Sequence, residues 1–116
     1  MEPRICSVIK KHRSSYPKPI ALKAGDKVTT GKIFTENSRW QNWRWCSSQD
    51  GREGWIPEQY LNISGQVGTI LCDYSGNELD VDLDEQISVY KIVNGWAWAK
   101  NSAGEFGWVP LQNISF

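Results

Sequence analysis

The feature that most constrains the fold of this chain is an internal repeat. Three segments of the first half return in the second half in the same order: residues 43–46 (WRWC) as 96–99 (WAWA), 54–57 (GWIP) as 107–110 (GWVP), and 20–28 as 79–87. The first two pairs are displaced by 53 positions and the third by 59, so one loop is longer in the first copy. Shared spacing over this many landmarks indicates a duplicated domain.

Each copy has the local sequence of an all-β domain. Short segments rich in β-branched and aromatic residues predict strands at residues 28–34, 43–46, 87–93 and 96–99. Hairpin turns are predicted between strands at Asp50-Gly51, Asn94-Gly95 and Ala103-Gly104. No stretch keeps an apolar period of 3.6 residues, so we predict no long helix.

Charge divides the chain at the same place as the repeat. The chain has eleven Lys and Arg and six Asp and Glu up to Ser64, but two Lys and Arg and seven Asp and Glu from Gly65 onward. The whole chain is neutral. Two halves of opposite sign in 116 residues suggest two small domains. We therefore predict a basic first domain at residues 1–63, a linker at 64–69 and an acidic second domain at 70–116.

Several function classes are excluded by composition. Cys6, Cys46 and Cys72 are widely spaced and odd in number, which predicts buried free thiols and a reducing, cytoplasmic location. Without a Cys-x-x-Cys or His-x-x-x-His pair we expect no metal or other cofactor, and with one histidine we expect no enzyme. No run of 18 or more apolar residues occurs, so no membrane-spanning helix is expected.

Each copy resembles a Src-homology-3 (SH3) domain. In the second copy the matching segments are residues 70–74 (ILCDY), 78–81 (ELDV) and 107–110 (GWVP), together with Trp96. In the first copy they are residues 24–26 (AGD) and 54–61 (GWIPEQYL), together with Trp43. The resemblance implies two small five-stranded SH3-like barrels in tandem, and the whole chain is similar to small bacterial proteins built from two such domains.

The resemblance also implies an aromatic groove in each barrel that binds extended, proline-rich peptides. Carried over position by position, the first groove consists of Trp43, Trp55, Pro57 and Tyr60. The second groove consists of Tyr74, Glu78, Trp96, Trp108 and Pro110. We therefore predict a non-catalytic module that binds a peptide or protein surface.

Both grooves depart from the family pattern. In the first copy Lys10 and His12 stand where the family has its two groove tyrosines, and Pro19 replaces an acidic residue. In the second copy Cys72 and Asn113 replace two tyrosines. The basic first loop of the first copy leaves an acidic or phosphorylated partner open there.

Two other functions stay open. The first is a rigid scaffold in which the domains dock on each other and no groove is free. Docking would be oriented by two loops of opposite charge: the basic residues Lys10, Lys11, Arg13 and Lys18, and the acidic residues Asp80, Asp82, Asp84 and Glu85. The second is binding of single-stranded nucleic acid through lysines and stacked tryptophans, for which a neutral chain gives only a modest signal.

Strand alternation assigns roles to two further sets of residues. Trp43 and Trp96 are expected on the binding face and at least partly exposed, whereas Trp45 and Trp98 are expected in packing or a domain contact. Gly54 and Gly107 precede a Trp-aliphatic-Pro stretch, where a missing Cβ permits close approach of another backbone. We therefore expect these glycines to serve the fold rather than binding.

Overall fold

The computed structural model describes residues 2–15, 17–36 and 39–116, and within them the chain is all-β. The strands are β1 (Arg4–Val8), β2 (Ala21–Leu22), β3 (Lys27–Ile33), β4 (Trp43–Ser48), β5 (Glu53–Pro57), β6 (Leu61–Ser64), β7 (Val67–Ile70), β8 (Tyr74–Ser75), β9 (Gln86–Val93), β10 (Trp96–Lys100), β11 (Phe106–Pro110) and β12 (Ile114–Ser115). Two single 3₁₀ turns, Glu58–Tyr60 and Leu111–Asn113, occupy equivalent places. The predicted fold class and the four predicted strands are confirmed. In the described part of the chain, no helix is long and apolar enough to cross a membrane.

The chain divides into two compact units, and the division differs from the sequence prediction. Unit 2 is the continuous stretch Lys18–Gly76, whereas unit 1 combines Met1–Pro17 with Asn77–Phe116. The unit 1 sheet has the strand order β11-β10-β9-β1-β12, and the unit 2 sheet has the order β5-β4-β3-β7-β6. A two-stranded sheet, β2-β8, completes unit 2. The first strand of the chain thus belongs with the second copy of the repeat.

A tight hairpin explains this exchange of strands. Residues 64–69, expected as a linker, contain the end of β6, a turn and most of β7, and the two strands pair from Leu61↔Ile70 to Ser64↔Val67. β7 also pairs with β3, with Val28 opposite Gly68. Because β7 fills the first-strand position in unit 2, β1 is left to complete unit 1, where it pairs with β9 and β12.

β1 and β7 differ at the position of Gly68, where β7 has no side chain. A Cβ built at Gly68 would lie 3.0 Å from Thr30 Cγ2 and 3.2 Å from Leu61 Cδ2, so the unit 2 sheet has little room for a side chain there. The equivalent position in β1 is Cys6, which is buried in unit 1. Placing β1 in unit 2 would force a thiol into the space that the glycine leaves.

The core of unit 1 forms between its five-stranded sheet and the segment 79–81. Its buried residues are Cys6, Val8, Leu79, Val81, Ile87, Val89, Ala97, Ala99, Val109 and Ile114. The predicted turn at Asn94-Gly95 joins β9 to β10 with φ values of 50° and 86°, as a two-residue hairpin of primed type requires. The small Ala97 and Ala99 let the sheet lie close to the opposite segment.

Unit 2 has a core of the same plan built from larger side chains. Its fully buried residues include Ile20, Ile56, Ile70 and Cys46. Ile20 lies over Gly54, whose added Cβ would meet Ile20 Cγ2 at 3.0 Å. In unit 1 the equivalent Gly107 faces backbone instead, because a Cβ there would lie 2.9 Å from Asn77 O and 2.9 Å from Leu79 N.

The exchange removes the charge split seen along the sequence. By residue type, unit 1 has six Lys and Arg and seven Asp and Glu, and unit 2 has seven and six. Lys10, Lys11 and Arg13 of the basic first loop lie in the same unit as the acidic segment 78–85, whereas Lys18 lies in unit 2. Each unit is therefore close to neutral by itself.

Candidate functional site

The outer face of the β10–β11 hairpin in unit 1 carries three side-chain rungs. The cross-strand pairs are Trp96↔Pro110, Trp98↔Trp108 and Lys100↔Phe106. The alternate residues of both strands are buried in the core, so these six side chains share the other face of the hairpin. The first rung defines one end of a row of aromatic rings.

His12 and Glu78 lie beside the first rung. The His12 ring meets Trp96 edge-on, with 5.6 Å between ring centroids and 78° between planes. His12 Nε2 lies 2.9 Å from Glu78 Oε1, and the two side chains are only 15% and 12% exposed. We call His12, Glu78, Trp96 and Pro110 the unit 1 groove. It joins first-copy and second-copy residues.

The charged loops meet inside unit 1. Arg13 donates to the Asp82 carboxylate and, at 2.9 Å, to Val81 O. The Ser14 amide donates to Asp80 Oδ1 at 2.7 Å. The hydrogen bond to Asp82 raises the pKa of Arg13. The pairing that the sequence suggested between two domains therefore has a counterpart within one unit, where it joins the two segments that flank His12 and Glu78.

The corresponding surface of unit 2 is built around two tyrosines. The rings of Tyr60 and Tyr74 meet edge-on with 5.7 Å between centroids. The Tyr74 hydroxyl donates to Trp55 O at 2.7 Å. Trp43 and Pro57 form the first rung of the β4–β5 hairpin. We call Trp43, Pro57, Tyr60 and Tyr74 the unit 2 groove.

Further aromatic rings extend from the first rung in unit 2. Trp45 and Trp55 form the second rung, with 5.0 Å between ring centroids, and Phe34 meets Trp55 at 5.1 Å. The third rung is Ser47↔Glu53. Glu53 Oε2 accepts hydrogen bonds from Trp45 Nε1 at 3.2 Å and from Ser47 Oγ at 3.1 Å. The aromatic row in unit 2 thus ends at a carboxylate.

The structure regroups the residues predicted for the two grooves. Tyr74, assigned to the second groove by sequence, lies with Tyr60 in unit 2. Its place in unit 1 is taken by His12, which the sequence marked only as a departure from the family. The remaining predicted residues keep their assignments: Trp43, Trp55, Pro57 and Tyr60 in unit 2, and Glu78, Trp96, Trp108 and Pro110 in unit 1.

Burial separates these residues into two groups. Trp43 is only 6% exposed, contrary to the exposure expected from strand alternation, whereas Trp96 is half-buried. Tyr74 and Trp108 are also buried. Alternation assigns a side chain to a face of the sheet, but neighbouring loops decide how much of that face stays open. Of the residues predicted for the grooves, Trp55, Tyr60, Glu78 and Trp96 are partly exposed, as is His12 in the unit 1 groove.

The cysteines divide between core and surface. Cys6 and Cys46 are buried free thiols, as predicted, and burial raises the pKa of Cys46 to about 11. Such a thiol stays protonated near neutral pH and is a poor nucleophile. Cys72 is exposed, contrary to the prediction, because it follows β7 in the loop leading to Tyr74. Among the described residues, no group of three or more His, Cys, Asp or Glu could hold a metal ion.

Comparison with known families gives one match. Residues 5–64 match the family model of the variant SH3 domain. Neither the comparison with curated proteins nor that with solved structures found a match. The matched stretch follows chain order from β1 to β6, whereas in the structure β1 completes the sheet of unit 1 and β7 completes that of unit 2.

Proposed function

Because the chain belongs to the variant SH3 domain family, we propose that it binds extended, proline-containing segments of partner proteins through the unit 1 and unit 2 grooves. SH3-type domains are in general non-catalytic binding modules. The observation that carries the proposal is the half-buried Trp96, which is paired across its hairpin with Pro110 and meets His12 edge-on. In unit 2 the same rung, Trp43 with Pro57, is buried, and the partly exposed ring of that groove is Tyr60.

The chemistry of these rungs suits a proline-rich segment. A polyproline II peptide is already extended, so binding it costs little ordering entropy. Flat indole, phenol and imidazole rings give broad apolar contact, and their polar atoms offer hydrogen bonds to peptide carbonyls. Trp96 and His12 supply partly exposed rings in unit 1, and Tyr60 supplies one in unit 2, where Tyr74 is buried and donates its hydroxyl to Trp55 O.

The two grooves differ in charge. Unit 1 has the Glu78 carboxylate, held by His12, beside its tryptophan. In unit 2 the equivalent position is Pro19, and the nearby carboxylate of Glu58 pairs with Arg44 at 2.9 Å. We propose that unit 2 binds its peptide without a requirement for a basic residue.

Peptide titration tests the proposal. A fluorescein-labelled proline-rich decapeptide is titrated with the wild-type chain and with Trp96→Ala and Tyr60→Ala, and binding is followed by anisotropy. Each variant is expected to lose about 2 kcal/mol of binding at its own groove, roughly thirtyfold in Kd. The matched controls Gln112→Ala and Thr29→Ala change exposed side chains in unit 1 and unit 2 and should bind like the wild type.

The same titration separates the remaining functions. A rigid scaffold without open grooves predicts that no proline-rich peptide binds and that the groove variants behave like the controls. Nucleic-acid binding predicts that a labelled dT12 binds more tightly than any peptide, with an affinity that falls steeply as salt is added. Either result would overturn peptide binding as the function.

A further inference from the structure

The third rung distinguishes the outer faces of the two hairpins. In unit 1 it is Lys100↔Phe106, and in unit 2 the equivalent rung is Ser47↔Glu53. The first two rungs are aromatic or proline in both units. The aromatic row of unit 1 therefore ends at a lysine and a phenylalanine, whereas the aromatic row of unit 2 ends at a serine and a glutamate.

The unit 1 row is partly open at its third rung. Phe106 is 42% exposed, and its ring stacks on Trp98 with 6.2 Å between centroids and 22° between planes. Tyr90 approaches the same ring at 5.5 Å. These contacts fix the orientation of Phe106, so its exposed area is presented to solvent at little further entropic cost.

Two ammonium groups accompany these rings. Lys100 Nζ lies 5.8 Å from the Phe106 ring centroid, and Lys91 Nζ lies 5.9 Å from the Trp108 ring centroid. Within residues 2–15, 17–36 and 39–116, Lys100 forms no ion pair. Glu105, the carboxylate next to Phe106 in sequence, accepts a hydrogen bond from Asn101 instead. The surface formed by Lys91, Trp98, Lys100 and Phe106 thus combines apolar area with positive charge, and we call it the lysine strip.

We propose that the lysine strip binds an acidic extension of the unit 1 ligand, a peptide stretch in which glutamates or aspartates flank the proline-containing part. This inference rests on the proposed function. Trp96 and Lys100 are four positions apart on one strand, which is about 13 Å, or about four residues of extended peptide. A ligand seated on Trp96 therefore needs only a short flank to bring a carboxylate to Lys100.

A peptide fits the strip better than a nucleic acid does. Unit 1 has more acidic than basic residues, and five of its carboxylates belong to the segment 78–85. A polyanion gains affinity by neutralising many phosphates, and the strip offers two lysines. A few carboxylates joined to an apolar stretch match both the number of cations and the exposed ring.

Unit 2 should reject the same extension. Glu53 occupies the position of Phe106 and is already hydrogen-bonded to Trp45 and Ser47. A ligand carboxylate arriving there would meet a like charge and would disrupt two existing hydrogen bonds. The two units would therefore select different flanks on ligands that share a proline-containing part.

The test compares two peptide flanks on matched variants. The probes are a proline-rich decapeptide followed by three glutamates, the same peptide followed by three glutamines, and both with the flank moved to the other end. The full chain is tested as wild type, as Lys100→Ser with Phe106→Glu, which gives unit 1 the third rung of unit 2, and as Ser47→Lys with Glu53→Phe, the reverse exchange. Binding is measured by anisotropy at low and high salt, and the Trp98 indole signal is followed by NMR.

We expect the wild-type chain to bind one glutamate-flanked peptide about three- to tenfold more tightly than its glutamine analogue at low salt, with a smaller ratio at high salt. The Lys100→Ser and Phe106→Glu exchange should remove this ratio while leaving the glutamine peptide bound, and the reverse exchange should add a preference at unit 2. The Trp98 indole signal should shift with the glutamate peptide.

Three results would overturn the inference. Equal affinity for glutamate and glutamine flanks in the wild type would do so while leaving peptide binding intact. Binding of dT12 that is lost in the Lys100→Ser and Phe106→Glu variant, without flank discrimination, would identify the strip as a nucleic-acid surface. Failure of every peptide to bind any variant would remove the proposed function and the inference with it.

Discussion

The two units have the same strand plan but differ in how the chain supplies it. Unit 2 is one continuous stretch from residue 18 to residue 76. Its sheet is completed by β7, which follows β6 through a hairpin and takes the place that β1 has in unit 1. Unit 1 is made of two pieces, and β1 reaches its sheet from the other end of the chain. The order of matching segments along the sequence therefore does not decide which first strand completes which sheet.

The comparison extends to single residues. The equivalent residues Trp43 and Trp96 begin the same strand, yet one is buried and the other is half-buried. The equivalent glycines Gly54 and Gly107 face the Cγ2 methyl group of the buried Ile20 in unit 2 and backbone atoms in unit 1. Equivalent positions in the two units thus have different surroundings, and each pair offers a matched experiment.

The largest expected effect concerns two fragments of similar length. Residues 18–76 should fold alone because they contain every strand of unit 2. Residues 5–64 follow the family match but lack β7, and β1 would have to place Cys6 at the crowded position of Gly68. We expect the second fragment to be less stable by at least about 3 kcal/mol, or unfolded, since it loses the buried Ile70. Urea unfolding followed by tryptophan fluorescence measures both.

A stable 5–64 fragment would contradict the exchange of strands. In the full chain, a Gly68→Cys substitution provides a check that does not depend on fragments. It should destabilise unit 2 by about 1 to 3 kcal/mol through overpacking.

The second effect is a contrast between equivalent tryptophans. Trp43→Ala should destabilise unit 2 by about 3 kcal/mol, because a buried indole leaves a large cavity. Trp96→Ala should cost clearly less stability and act mainly on peptide binding. Thermal melts combined with peptide titration measure both quantities. Equal losses of stability in the two variants would show that Trp96 is a core residue and that the unit 1 groove is misassigned.

The smallest effect is a contrast between equivalent glycines. Gly107→Ala should destabilise unit 1 by about 2 kcal/mol, since the new methyl group would press on backbone atoms of residues 77 and 79 that cannot turn away. Gly54→Ala should cost less, about 1 kcal/mol, because the atom that the new methyl group would crowd is one methyl carbon of Ile20 and not the backbone. Urea midpoints give both values. Similar costs would mean that the segment 77–79 is freer to move than its contacts suggest.

The sequence predicted the framework well because its signals are local. Strands such as β9 and β10, and the turn at Asn94-Gly95, depend on side-chain alternation and on residues that accept a positive φ. The pairing of first strands is not local. Both strands have two buried residues, Cys6 and Val8 in β1 and Gly68 and Ile70 in β7. The difference in size between Cys6 and Gly68 is the sequence feature that distinguishes the sheet of unit 1 from the sheet of unit 2 as a partner.

The candidate site was predicted in part for the same reason. Residues on the hairpins, such as Trp96 and Pro110, keep their neighbours whichever first strand is present. Tyr74 and His12 follow the first strands, so the exchange moved each to the other groove. The burial of Trp43 and the exposure of Cys72 depend on how loops cover the sheets, which strand periodicity does not describe.

The pairing of Cys6 with Ile87 also sets an order of events during synthesis. Unit 2 has all of its strands once residue 76 has left the ribosome, whereas β1, which precedes them in the chain, has no partner until β9 emerges. Contacts between residues that are far apart in sequence form slowly compared with hairpins, so unit 2 should fold before β1 is paired. The unit 1 groove, which needs His12 and Trp96 together, is then the later of the two grooves to form.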